Sequence, residues 1–161
     1  MTRQEALRIL WKRLLVLLVI MLAASTSVMA GAALGNFGNT GILVFMVGNI
    51  GGYVGMHRAL GDMKDDEVIG LAVSWWAIVA PSVVGGVLAL VLYVLFMSGI
   101  LGGDLFPKIK SDVTEPVKSL QALVMQHAEG VTEYAKLFFW SFIGGFNQKY
   151  VVDVINSVRA K

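Results

Sequence analysis

A run of 43 consecutive residues, from Leu14 to Met56, contains no Asp, Glu, Lys, Arg or His. One transmembrane helix needs about 20 predominantly apolar residues, so this run is long enough for two crossings and a turn. The segment 35–41, GNFGNTG, is rich in turn-forming residues and lies near the middle of the run. The run therefore predicts a helical hairpin in a bilayer, with spans at about 14–34 and 42–56.

The composition of the whole chain agrees with a membrane environment. Of its 161 residues, 57% are hydrophobic and 15% are charged, and the mean hydropathy is +0.72. Soluble domains carry about 25% charged residues, and 161 residues is the length of one domain. We therefore predict an all-α fold, a polytopic integral membrane protein whose residues 1–161 form a single membrane domain of four transmembrane helices with an extramembrane amphipathic helical extension.

Two further spans complete this prediction. A second uncharged run, 68–103, fits one span at about 74–101 with an interfacial lead-in, because Trp75 and Trp76 suit a membrane boundary. Pro81 either kinks this helix or lies in the first turns of a straight, tilted one. The fourth span is predicted at about 134–148, and the alternative is a short re-entrant or interfacial segment, because its apolar core LFFWSFIGGF is brief.

The amphipathic extension is predicted at about 115–135. Thr-Glu-Pro at 114–116 is typical of a helix start, and apolar residues then recur at spacings of three and four. These residues are Val117, Leu120, Val124, Ala128, Val131 and Tyr134. We expect this helix to pack against sister subunits or to lie on the membrane surface.

Lys and Arg indicate the orientation. With four spans, nine basic residues lie on the side of both termini and at most four on the other side. This asymmetry favours cytoplasmic N- and C-termini in a bacterial inner membrane. The first segment also resembles a signal peptide that would be cleaved after Val28-Met29-Ala30, and we expect it to be retained as a signal anchor.

Several classes of function are disfavoured by what the chain lacks. It has no cysteine, and its two histidines, His57 and His127, are far apart, so we expect no metal and no cofactor. Apart from Lys136, which can snorkel near the start of the fourth span, the predicted spans hold no ionised residue and no acid–base pair. This argues against an enzyme, a proton-coupled transporter and a voltage sensor. A net charge of +2 argues against direct nucleic-acid binding.

Small residues recur at spacings of four and mark candidate helix-packing or oligomer-interface positions. They are Gly48, Gly51, Gly52, Gly55, Ser141 and Gly145. Such residues let helix backbones approach closely, either within one subunit or between subunits. Asn49 lies among them, and its amide either joins neighbouring helices or lines a pore.

The densest charge cluster, 57–67, is either a solvated turn or a docking surface for a cytosolic protein. The candidate docking residues are Arg58, Asp62, Asp65, Asp66 and Glu67 in this segment, with Lys149, Tyr150, Val151 and Ile155 in the C-terminal tail. The carboxylates would steer a basic partner, and the apolar side chains of the tail would carry more of the affinity.

The stretch FIGGFNQKYV, residues 142–151, resembles a pattern at the cytosolic end of the last helix in small bacterial membrane proteins of defence operons. Together with the length and the four-span plan, it is similar to the membrane component of Kiwa antiphage systems. The resemblance covers ten residues, and Gln148 stands where the pattern has an acid, so an ion pair made by that acid is lost. It implies a homo-oligomeric membrane sensor coupled to a cytosolic effector in antiviral defence.

From these features we expect an oligomeric membrane scaffold or sensor that recruits or regulates a cytosolic effector. The alternative is a homo-oligomeric channel or pore. Its partners would be the lipid bilayer, further copies of itself and the effector.

Overall fold

The computed structural model describes residues 2–34, 39–110 and 126–148. They form five helices and a pair of two-residue strands. The helices are α1 (Arg3–Ala33), α2 (Thr40–Ala59), α3 (Asp65–Val73), α4 (Trp75–Met97) and α5 (Gly130–Phe146). The strands are β1 (Ile109–Lys110) and β2 (His127–Ala128). The prediction of a helical fold is confirmed for this part of the chain.

Local chemistry explains where the helices begin. At the start of α1, Thr2 and Glu5 cap each other, because the Thr2 amide donates to the Glu5 carboxylate at 2.8 Å and the Glu5 amide donates to the Thr2 hydroxyl. Asn39 caps α2 by accepting from the Gly41 amide at 2.9 Å. Ser74 caps α4 in the same way.

The segment expected to be a charged turn and an interfacial lead-in contains the separate helix α3. Its first turn holds Asp65, Asp66 and Glu67, whose negative charges favour a helix N-terminus. The Glu67 carboxylate accepts from the Lys64 amide at 3.0 Å. The interpretation of 57–67 as a solvated turn is therefore wrong at 57–59, which end α2, and from Asp65 onward, where acidic residues start a helix.

Helices α2 and α4 pack side by side and run in opposite directions. Gly48 of α2 lies against Ala89, and Gly52, one turn later in α2, lies against Pro81, about two turns earlier in α4. Pro81 lies inside α4, which continues through it as one helix. The two helices therefore form an antiparallel pair.

Helix α5 runs in the same direction as α2. The hydroxyls of Thr40 and Tyr134, near the starts of the two helices, are 3.4 Å apart. A β-carbon added at Gly55 would lie 2.6 Å from the carbonyl oxygen of Phe146, near the ends of the two helices. Because α4 opposes both, α2, α4 and α5 form a three-helix bundle.

Helix α1 lies against this bundle and opposes α2. Near its start, the ring of Trp11 meets that of His57 edge-on, with centroids 4.9 Å apart. Further along α1, Ile20 and Met21 share a crevice with Phe45, near the start of α2. The four long helices thus alternate in direction along the chain.

The alternation gives the molecule two ends. We call the end that carries Arg3, His57, Asp65, Trp75 and Phe146 the turn end. The opposite end, which carries the β1–β2 pair and the starts of α2 and α5, is the hairpin end. Each end has its own apolar cluster, centred on Leu10, Leu14 and Ile78 at the turn end and on Leu92 and Leu137 at the hairpin end.

The predicted amphipathic helix at about 115–135 is wrong over 127–129, and its part from 115 to 125 lies outside the described residues. His127 and Ala128 form β2, which pairs antiparallel with β1. The Glu129 amide donates to the Lys108 carbonyl at 3.3 Å. Gly130 then has a φ of +83°, a conformation that glycine adopts without strain, and α5 begins there.

Two helices, α1 and α4, are long and apolar enough to cross a membrane, judged by length and composition. At about 1.5 Å per residue, the 20 residues of α2 and the 17 residues of α5 measure roughly 30 and 25 Å. The full plan of four spans stays a prediction.

Candidate functional site

The four glycines of α2 that were predicted to pack lie on two faces of that helix. Gly48 and Gly52 face α4, whereas Gly51 and Gly55 face α5. A β-carbon at Gly51 would overlap the carbonyl oxygen of Phe142, and one at Gly48 would lie 2.7 Å from the Gly85 carbonyl oxygen. Because the opposing atoms are backbone, no rotamer change can relieve these overlaps.

Two of the predicted small residues lie on α5, and both are buried. Gly145 lies against the backbone of Gly48 and Gly52, and Ser141 is buried, with its hydroxyl donating to the Leu137 carbonyl at 2.7 Å. All six predicted packing positions thus lie on α2 and α5. The helix-packing contacts described for the five glycines lie within one chain.

Asn49 is anchored on its own helix. Its side-chain amide donates to the Phe45 carbonyl at 2.7 Å, and it lies against Gly86 of α4. Gly86 leaves room for the amide, because a β-carbon there would overlap it. The amide therefore fills a contact between α2 and α4.

The candidate docking residues of the turn end divide by what they contact. Asp65 pairs with Arg3 at 2.8 Å, and Glu67 holds the start of α3. Asp62 and Asp66 are exposed and, within the described residues, form no ion pair. Two of the four carboxylates thus support the fold, and two face outward.

The last described residues of α5 reach the same end. The guanidinium of Arg58 lies 5.6 Å from the centroid of the Phe146 ring, a cation–π contact. The side-chain amide of Gln148 donates to the Pro81 carbonyl at 2.9 Å. The docking candidates Lys149, Tyr150, Val151 and Ile155 lie outside the described residues.

Sequence reasoning missed how the basic N-terminal segment is used. Arg13 donates to the Ala72 carbonyl at 2.8 Å, and its guanidinium lies 5.7 Å from the ring centroid of Trp75. Arg13 thereby joins α1 to the junction between α3 and α4. A basic residue directly before a long uncharged run gave no signal of this contact.

A polar cluster at the hairpin end fixes β1 to α5. The Glu133 carboxylate accepts from the Lys136 ammonium at 2.8 Å and from the Lys108 backbone amide at 2.7 Å. Both hydrogen bonds lower the pKa of Glu133 below its ordinary value, and the bond from Lys136 has the larger effect. The pKa of Glu5 is lowered in the same sense, chiefly by the backbone amide of Thr2.

An apolar groove of about 440 Å³ lies between the start of α2 and the end of α4. Its lining is Asn39, Gly41, Ile42, Phe45, Leu90, Tyr93, Val94 and Met97. The sequence could not reveal it, because its lining comes from two helices that are far apart in the chain. Few polar atoms line this groove, which suits an apolar occupant.

Within the described residues no group of three or more His, Asp or Glu side chains could hold a metal ion. No family model, curated protein or solved structure matches the chain. The described residues present three surfaces of interest: the turn end, the groove and the apolar outer faces of α1 and α4.

Proposed function

We propose that this chain is a four-span membrane protein, with both termini in the cytoplasm, that acts as a non-enzymatic, homo-oligomeric scaffold or sensor. It recruits a cytosolic effector in bacterial antiphage defence, as the resemblance of residues 142–151 implies. The observation that carries the proposal is the contact between Arg58 and Phe146 at the turn end. It joins the acidic segment to the point where the C-terminal tail begins.

The outer faces of α1 and α4 support membrane insertion. Large apolar side chains are exposed along both helices: Trp11, Leu15, Val16, Val19, Ile20, Leu22 and Met29 on α1, and Val83, Val84, Val87 and Val94 on α4. Contiguous apolar faces of this extent mark contact with lipid or with other proteins. Lipid acyl chains can cover these apolar faces without a protein partner.

The second half of α1 supports self-association. Beyond Met21 this helix exposes small residues, among them Ala23 and Ser27, and its buried residues all lie in its first half. Small residues at a spacing of four allow close approach of a second helix in lipid. A neighbouring copy of the chain is the occupant we propose for this face.

The turn end supports recruitment. Asp62 and Asp66 are exposed carboxylates at the turn end, and the exposed Arg58 contacts Phe146 near the point where the tail begins. Exposed charges mainly accelerate association and fix orientation. The tail that follows Gln148 would supply the apolar anchors Tyr150, Val151 and Ile155.

Co-purification from native membranes in mild detergent tests the proposal. The variant Asp62→Lys/Asp66→Lys reverses the two outward charges and spares the Arg3–Asp65 pair. We expect effector recovery to fall about tenfold at low salt, because attractive steering becomes repulsive. The control Asp104→Lys changes one exposed carboxylate at the hairpin end and should leave recovery unchanged.

Two outcomes would contradict the proposal. Wild-type recovery in Asp62→Lys/Asp66→Lys would place docking away from these carboxylates. A wild-type protein that retains no partner and conducts ions alone in reconstituted bilayers would make it the channel instead.

A further inference from the structure

The first 13 residues hold four basic side chains, and the fold uses two of them. Arg3 pairs with Asp65 at 2.8 Å. Arg13 donates to the Ala72 carbonyl at 2.8 Å and lies over the Trp75 ring. Both therefore have a structural partner on α3 or α4.

The other two, Arg8 and Lys12, are exposed one turn apart on the same face of α1. In the part of the chain that the structure describes, neither forms a salt bridge or a side-chain hydrogen bond. Like charges at a spacing of four repel each other on a helix. An anion placed between them would relieve that repulsion.

On the C-terminal side of this pair, the same face of α1 becomes apolar. Trp11 is 54% exposed, although its ring is held edge-on against His57. Leu15 is 62% exposed and Val19 is 57% exposed, and both follow Arg8 and Lys12 on one stripe of the helix. Tryptophan prefers the level of the lipid headgroups, so the order along the stripe matches a membrane interface.

We propose that Arg8 and Lys12 bind the headgroup phosphate of an anionic phospholipid, with Trp11 at headgroup level and the acyl chains along Leu15 and Val19. This inference goes beyond effector recruitment and rests only on the spanning of α1 in the proposed function. The choice of a lipid over a soluble anion follows from the exposed apolar stripe directly below the cations. A soluble anion would gain nothing from Leu15 or Val19.

Native mass spectrometry of the full chain in detergent, titrated with phosphatidylglycerol or phosphatidylcholine, measures this binding. The wild type should retain phosphatidylglycerol in preference to phosphatidylcholine, and millimolar inorganic phosphate should not displace it. Arg8→Gln/Lys12→Gln should weaken phosphatidylglycerol binding by roughly ten- to thirty-fold, from two basic residues near an anionic surface. Arg8→Lys/Lys12→Arg should bind as the wild type does.

The matched control is Arg3→Gln/Lys64→Gln, which removes two positive charges from the same end, where Lys64 is exposed. It should retain phosphatidylglycerol within about twofold of the wild type. Equal loss in the control and in Arg8→Gln/Lys12→Gln would reduce the effect to net charge and overturn the site. Equal retention of the two lipids by the wild type would overturn it too.

A separate measurement distinguishes this failure from failure of the proposed function. Alkaline washing of membranes should leave wild type and Arg8→Gln/Lys12→Gln in the pellet. If the wild type is released, α1 does not span and both proposals fail. If it stays in the membrane without lipid selectivity, only the lipid site fails.

Discussion

A β-carbon added at Gly145 of α5 would overlap the carbonyl oxygen of Gly48 in α2. The backbones of these two helices are therefore in direct contact, with no side chain between them. This close contact between α2 and α5 gains dispersion energy along its length, and lipid acyl chains offer no comparably close packing.

Gly145→Val should destabilise the fold by about 2 kcal/mol or more, because a rigid side chain meets backbone atoms that cannot rotate away. Gly70→Ala, on the exposed side of α3, meets nothing within 4 Å and should be neutral or slightly stabilising. Thermal unfolding in one detergent compares the two. Equal midpoints would show that α2 and α5 do not touch at Gly145.

Gly51→Leu should unfold or loosen the single chain, because its β-carbon would overlap the Phe142 carbonyl. Resistance to limited proteolysis should fall even where the protein is monomeric. Subunit dissociation of an otherwise protease-resistant chain would instead assign Gly51 to an interface between copies. Mass measurement and proteolysis of the same sample separate these outcomes.

Gln148→Glu should detach the end of α5 from α4. The amide of Gln148 donates to the Pro81 carbonyl, whereas a carboxylate would face that carbonyl without a proton to donate. We expect a loss of roughly 1–3 kcal/mol at neutral pH. Because the neutral carboxyl can donate a hydrogen bond, this loss of stability should shrink as the pH falls. Protection of the amides at 143–147 from hydrogen exchange measures the loss. Protection factors of Gln148→Glu that, relative to the wild type at each pH, do not recover as the pH falls would contradict this role.

Glu133 should make the hairpin end sensitive to acid. Since its pKa is lowered in the folded state, its stabilisation is present above its ordinary value of 4.5 and is lost as the pH falls through the lower folded value. Glu133→Gln should therefore be less stable than the wild type at neutral pH, and the difference should vanish in acid. Thermal midpoints measured from pH 7 to pH 3 test this. Glu5, whose pKa is also lowered, should supply part of the pH dependence that remains.

The chain has no cysteine, so single-cysteine labelling can test the four-span plan. Asp62→Cys at the turn end and Asp104→Cys beyond α4 should react with a membrane-impermeant maleimide from opposite sides. Thr2→Cys should react from the side of Asp62→Cys. Labelling of all three from one side would show that the alternating helices do not cross the bilayer as proposed.

The apolar runs were enough to predict the long helices. A charge-free stretch of 43 residues with a glycine-rich middle leaves few alternatives to two helices, and α1 and α2 occupy it. The recurrence of small residues likewise predicted where helices would pack. Gly48 and Gly145 were both identified in this way, although their pairing was not.

Tertiary contacts decided what the local pattern could not. The apolar spacing through Ala128 is typical of a helix, but β1 offers backbone partners to His127 and Ala128, and these residues pair with it instead. The acidic residues 65–67 looked like a solvated loop, yet a helix N-terminus favours their charge, and α3 begins there.

The sequence by itself determined that the chain forms long apolar helices with close-packing glycines, because hydropathy and the absence of a β-carbon are properties of single residues and their spacing. Only the tertiary structure decided which basic residues are used. Arg3 and Arg13 meet Asp65 and the Ala72 carbonyl because α3 folds back against α1. Residues so far apart in the chain have no local signature of their contact.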